Sequence, residues 1–106
     1  MQIEIVISKA FSDAPGGRFK KDGPKSGEEF RESILEPSFK GLSDTDVLLI
    51  DMDGAFGYPI SFLEEAFGGL ARIYGPEEVL RKLRFKSSEE PSLIPNVERY
   101  IREAKK

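Results

Sequence analysis

Asp46-Val-Leu-Leu-Ile-Asp51 decides the fold: four consecutive apolar residues, Val47 to Ile50, lie between two aspartates. A run this short, apolar at every position and bounded by charge, reads as a central strand covered on both faces. Upstream, Ile3, Ile5 and Ile7 alternate with Glu4 and Val6, which predicts a strand over 2–8 with one strongly apolar face. Downstream, Leu83-Arg-Phe-Lys86 alternates again and predicts a short strand.

The intervals between these strands read as helices. Ser26-Gly-Glu-Glu29 has capping-box spacing, with Phe30, Ile34 and Leu35 following at helical intervals and Pro37 setting the far limit. The expected helix covers 27–36. Ser61-Phe-Leu-Glu64 repeats the capping pattern, so Ser61 is the expected N-cap. Leu63, Ala66, Phe67, Leu70, Ala71 and Tyr74 then mark one helical face, and Gly75-Pro76 is a stop signal. Gly68-Gly69 inside this helix implies close approach of a neighbouring element.

A short helix over 77–82 follows. After Pro91 and Pro95, the residues Val97, Tyr100, Ile101 and Ala104 define a final helix. Near the start, Arg18-Phe-Lys20 stands between two turn signals, Asp13-Ala-Pro-Gly-Gly17 and Asp22-Gly-Pro24, as a short hairpin strand or a basic loop. Strands alternating with helices imply one small α/β domain over residues 1–106, with right-handed crossovers.

The chain has 106 residues and neither cysteine nor histidine. That excludes disulfides, thiolate nucleophiles, histidine metal ligands and the Ser-His-Asp triad. Serine, lysine and carboxylate chemistry remain. Net charge is −3, unevenly divided: five bases and three acids over 1–27, three and ten over 28–76, eight and six over 77–106. An acidic chain argues against nucleic acid as a partner. With no apolar run long enough to span a membrane and no signal-peptide pattern at the start, a cytoplasmic location is expected. Arg18, Lys20, Lys21 and Lys25 are interleaved with Asp13 and Asp22 and read as a solvated basic group.

Leu48-Leu-Ile-Asp-Met-Asp-Gly54 is the first stretch with apparent chemistry. Apolar strand followed by Asp-x-Asp-Gly resembles motif I of the haloacid-dehalogenase-like phosphotransferases. The resemblance implies a magnesium-dependent phosphohydrolase with Asp51 as nucleophile and Asp53 as its acid partner. Paired carboxylates at a strand's C-terminal end suit a hard cation. Against this stand Ala55 at the next motif position and the missing second acidic pair. The plain alternative is that Asp51 ends the strand and Asp53-Gly54 begins a turn.

A longer stretch, Asp51-Met-Asp-Gly-Ala-Phe-Gly-Tyr-Pro-Ile-Ser-Phe-Leu-Glu-Glu-Ala-Phe-Gly-Gly-Leu70, resembles the bacterial STAS-like domains of unknown function. Gly23-Pro-Lys-Ser-Gly-Glu-Glu-Phe30, preceded by Gly17-Arg-Phe19, resembles the first-helix region of that family. The family is similar to the anti-sigma-factor antagonists. The resemblance implies a small STAS-like sandwich, a mixed central sheet of about four strands with helices packed on it. It implies a non-enzymatic regulatory module without cofactor, whose protein partner is a histidine-kinase-like ATPase or serine kinase. In the antagonists a serine opening the helix after the central strand accepts phosphate, and the matching position is Ser61. Pro59, Ile60 and Phe62 replace the neighbours found there, so kinase recognition does not follow from the match.

Phe56, Tyr58 and Phe62 cluster around Gly57 and Pro59 just ahead of the long amphipathic helix. Tyr58, Phe62, Glu64 and Glu65 are the expected partner-binding residues, with Tyr58 the most accessible. Completion of the core is the alternative for Phe56 and Phe62. A small-molecule or nucleotide sensor at the 51–61 loop is a third reading.

Overall fold

The alternating segments become strands β1 (Gln2–Val6), β2 (Val47–Asp51) and β3 (Leu83–Lys86) in a computed structural model that describes residues 1–105. They form a parallel sheet in the order β1-β2-β3, with Ile3, Leu48 and Leu83 level across it, and Ile5, Ile50 and Phe85 two residues further on. The expected mixed sheet of about four strands is corrected to three parallel strands among the described residues. Nor does 18–20 form a hairpin strand. It runs as a loop into a single tight turn, Lys20–Asp22.

Strand order also corrects the expectation that β2 is covered on both faces. Going from β1 to β2 to β3, the chain steps twice in the same direction. Two right-handed crossovers of that kind lay their helices on the same face. Burial follows: Leu48 and Ile50 are fully buried, whereas Val47 and Leu49, pointing the other way, are only half-buried. The domain is therefore two layers, a sheet with helices on one side.

A one-turn helix α1 (Ile7–Ala10) follows β1. Helix α2 spans 27–40 rather than ending before Pro37. A widened turn over Arg31–Leu35, in which the Glu36 amide donates to the Arg31 carbonyl, precedes the proline and makes room for its ring and missing N–H. Helix α3 spans 60–74 with a similar widened turn over Glu64–Gly68. Helix α4 (Pro76–Lys82) leads into β3, and α5 (Leu93–Glu103) lies against the middle of α3 and α4. No helix among the described residues is long and apolar enough to cross a membrane.

The core joining the layers is aromatic. Phe30 of α2 has its ring 5.3 Å from Phe11, 5.8 Å from Phe62 and 6.2 Å from Phe67, and Phe67 reaches Phe85 of β3 at 5.4 Å. Such separations suit tilted and edge-on aromatic contacts. Two glycines let α2 and α3 approach this closely. A Cβ on Gly27 would collide with the Phe62 carbonyl oxygen, and one on Gly69 would lie 2.7 Å from Arg31 Nε. The second of these is the neighbour that Gly68-Gly69 implied.

Candidate functional site

The loop 52–59 leaves the C-terminal end of β2, where parallel sheets gather their functional loops. It begins by extending the ladder, with the Met52 amide donating to the Lys86 carbonyl at 2.8 Å. Four further bonds then fix its path. The Tyr58 hydroxyl donates to the Met52 carbonyl at 2.9 Å and the Gly54 amide to Glu89 Oε1 at 2.7 Å. The Phe56 amide donates to the Asp13 carbonyl at 2.8 Å, and Ser8 Oγ to the Asp53 carbonyl at 3.3 Å. Gly54 supports the turn with φ +91°, a conformation that side chains disfavour.

What this fixed loop displays is apolar. Phe56 is 88% exposed and Ile60, the first residue of α3, is 70% exposed. Large side chains so open, on a backbone held in place, differ from the scattered apolar residues of an ordinary surface. Sequence reasoning placed the accessible aromatic at Tyr58 and missed Phe56. Tyr58 is half-buried, its ring 6.0 Å from that of Phe62, because its hydroxyl closes the loop. Burial, and then the charges of Asp51, Asp53 and Glu89, push its phenol pKa up. Tyr58→Phe is expected to cost about 0.5–1.5 kcal/mol of stability, the worth of one such bond, measured by denaturant unfolding. Phe62 is fully buried in the aromatic core. Its expected role in partner contact is corrected, because it offers no surface.

The carboxylates expected to steer a partner are occupied. Glu64 Oε1 lies 2.5 Å from Arg18 Nη1, and Glu64 Oε2 lies 2.6 Å from Arg72 Nη1. Glu65, 8% exposed, has Oε2 3.0 Å from Arg31 Nη2, and its own carbonyl accepts from Arg31 Nε at 3.3 Å. The Arg72 hydrogen bond, followed by that of Arg18, holds the Glu64 carboxyl below the usual glutamate range. These ion pairs lock the 16–19 loop, α2 and α3 together. Glu64 and Glu65, expected to bind a partner, are thus held in a structural cluster with three arginines, of which Arg18 comes from outside 28–76.

Ser61 is not the N-cap of α3. Pro59 takes that place with φ −60° and ψ 143°, so Ser61 is the second helical residue, half-buried, next to the exposed Ile60. The pattern at 26–29 does act as a cap. Ser26 Oγ accepts the Glu29 amide at 3.0 Å, while the Glu29 carboxylate accepts the Lys25 amide rather than that of Ser26.

Asp51 and Asp53 do not converge on a common point. Asp51 Oδ1 accepts the Asp53 amide at 3.0 Å, and Oδ2 faces Lys86 Nζ at 3.7 Å. Asp53 Oδ1 and Oδ2 accept the amides of Glu89 and Ser88 at 2.9 and 3.2 Å. Those amides, Glu89 first, hold the Asp53 carboxyl below its ordinary pKa. Its work is to pin the segment after β3 beside the 52–59 loop. Between the two segments lies a cleft of about 220 Å³, bordered by Asp53, Phe56, Tyr58, Glu89 and Glu90. Among the described residues, no group of three or more acidic side chains is arranged to hold a metal ion.

Among known proteins, the family model for STAS-like domains of unknown function matches residues 26–93, from the cap of α2 to the first residue of α5. No curated protein and no solved structure matches the chain.

Proposed function

The chain belongs to the family of STAS-like domains of unknown function, and from that premise we propose that it is a non-enzymatic regulatory domain that binds a protein partner through the 52–61 surface. The observation that carries this reading is the outward display of Phe56 and Ile60 from a hydrogen-bonded loop. Exposed aromatics on a preorganised backbone bind at small entropic cost and supply the anchors of most interfaces. The partner class is a serine kinase or ATPase of the histidine-kinase-like fold, with Ser61 as the phosphate acceptor.

Two features favour Ser61 as a switch. It stands beside Ile60 in the docking surface, and its side chain caps nothing. A phosphate there meets the unpaired amides of the first helical turn. The carboxylates three and four residues on are paired with Arg18, Arg31 and Arg72, which weakens their repulsion. Phosphorylation at Ser61 places about two negative charges beside two apolar anchors, so it is expected to release the partner.

Affinity purification from native lysate tests this, comparing the wild type with Phe56→Ser/Ile60→Ser and Ser61→Asp. A specific partner retained by the wild type and lost by both variants is the expected result. In a quantitative binding assay the double variant is expected to weaken affinity by about 30-fold or more, the loss of at least one hot spot. Equal recovery of every protein by all three forms contradicts the reading.

A further inference from the structure

The face of the sheet that carries no helix has an ordered distribution of charge. β1 contributes Gln2, Glu4 and Val6, β2 contributes Val47, Leu49 and Asp51, and β3 contributes Arg84 and Lys86. Val6, Val47 and Leu49 are half-buried but pack against no part of the core. They form an apolar patch that Asp51 closes at one end, with Glu4 on the β1 edge and Arg84 and Lys86 on the β3 edge. Glu4, Leu49 and Arg84 are level in the register. Two strand spacings, about 9.5 Å, separate Glu4 from Arg84. Arg84 Nη1 donates to the carbonyls of Arg81 and Leu83 at 3.0 and 2.9 Å, which fixes the side chain at the sheet edge. Asp51 is already paired with Lys86.

We infer that this open face binds a second copy of the chain, sheet against sheet, about a two-fold axis parallel to the strands. That axis lays β1 of one copy over β3 of the other and β2 over β2. Leu49 then meets Leu49, and each Glu4 meets an Arg84 of the second copy. The other two-fold arrangement, with the axis across the strands, sets Glu4 against Glu4 and Arg84 against Arg84, which like-charge repulsion disfavours. The chosen axis also sets Asp51 over Asp51, each already paired with Lys86 of its own chain, so it is the Glu4–Arg84 contacts that select the geometry. It is the aligned sandwich in which sheets pack about 10 Å apart, and its contact is isologous, as two-fold dimers require.

The patch is small. Two strands of five residues and one of four cover about 14 by 16 Å, well below the roughly 800 Å² per partner of a standard interface. A reversible dimer with a dissociation constant on the order of 100 µM is expected. This inference is independent of the 52–61 docking surface, which lies at the end of the sheet.

Sedimentation equilibrium of the purified chain at low salt, from about 10 µM to about 1 mM to bracket that constant, is the test. Leu49→Glu is expected to abolish association, with Leu49→Thr replacing it if the first variant does not fold by circular dichroism. Glu4→Arg and Arg84→Glu should each weaken the dimer about tenfold, since each reverses two symmetric contacts. Their combination should recover the wild-type constant to within about threefold. Lost stability at either position does not produce that recovery. A wild type that stays monomeric throughout, a dimer indifferent to Leu49→Glu, or a double variant as weak as the singles overturns the inference.

Discussion

Phe30→Ala is expected to lower the melting temperature by roughly 15–30 °C, the shift that a loss of about 3–5 kcal/mol produces in a domain of this size. Phe30 is fully buried and its ring contacts those of Phe11, Phe62 and Phe67. Removing it leaves a void where α2, α3 and the start of the 11–19 loop meet. The surroundings cannot close in cheaply, since Gly27 already sits against the Phe62 carbonyl. Small domains have about 5–15 kcal/mol of stability in total, so this one truncation consumes a large share. Thermal melts by circular dichroism measure it. Phe30→Leu retains most of the buried volume and is expected to lose less than half as much.

Arg31→Ala is the second large effect, expected at about 2–4 kcal/mol by denaturant unfolding. The Arg31 and Glu65 side chains are 13% and 11% exposed. Truncating Arg31 therefore removes the shortest of the three arginine contacts of a carboxylate largely removed from water, leaving Arg18 and Arg72 at 3.4 and 3.7 Å, and also loses the bond to the Glu65 carbonyl. Part of the cost is the weaker compensation of a buried charge, so adding Glu65→Ala should cost less than the two single losses summed, with a coupling of about 1–3 kcal/mol. Arg31→Lys keeps the charge but not the two-pronged geometry and should fall between.

Acid acts on the same cluster through Glu64. Its folded pKa is lowered, so its stabilising contribution is fully present above the ordinary glutamate value of about 4.3 and is lost as pH falls through the lower folded value. Arg72→Ala, which removes the main cause of the shift, should flatten that acid limb in a stability-versus-pH series.

These particulars show where sequence reading succeeds. The strands at 47–51 and 83–86 were legible because a charge-bounded apolar run and a short alternation are local properties. The number of strands and the uncovered face were not, because strand order depends on which way the chain crosses. The apolar run of β2 looked doubly buried, yet Leu49 is only half-buried, on the face that carries no helix. Pro37 looked like a terminus and is not, since a widened turn accommodates it.

The two Ser-x-x-Glu patterns show how one signal diverges. At Ser26 it caps a helix. At Ser61 the pattern fails because Pro59 caps the helix two residues sooner, and Glu64 goes to Arg18 and Arg72. Capping-box spacing cannot reveal that capture, because Arg72 stands eight residues on in the same helix and Arg18 comes from elsewhere in the chain. Nor can composition tell which ring of Phe56-Gly-Tyr-Pro59 faces out. The hydroxyl decides it, because Tyr58 can satisfy the Met52 carbonyl from inside the loop and Phe56 cannot.

Amide hydrogen exchange across the domain, free and in complex with its partner, tests the docking account most directly. The account predicts new protection confined to residues 54–61, with the amides of α5 and the open sheet face unchanged. Protection on α5 or the sheet, with 54–61 exchanging as in the free chain, contradicts it.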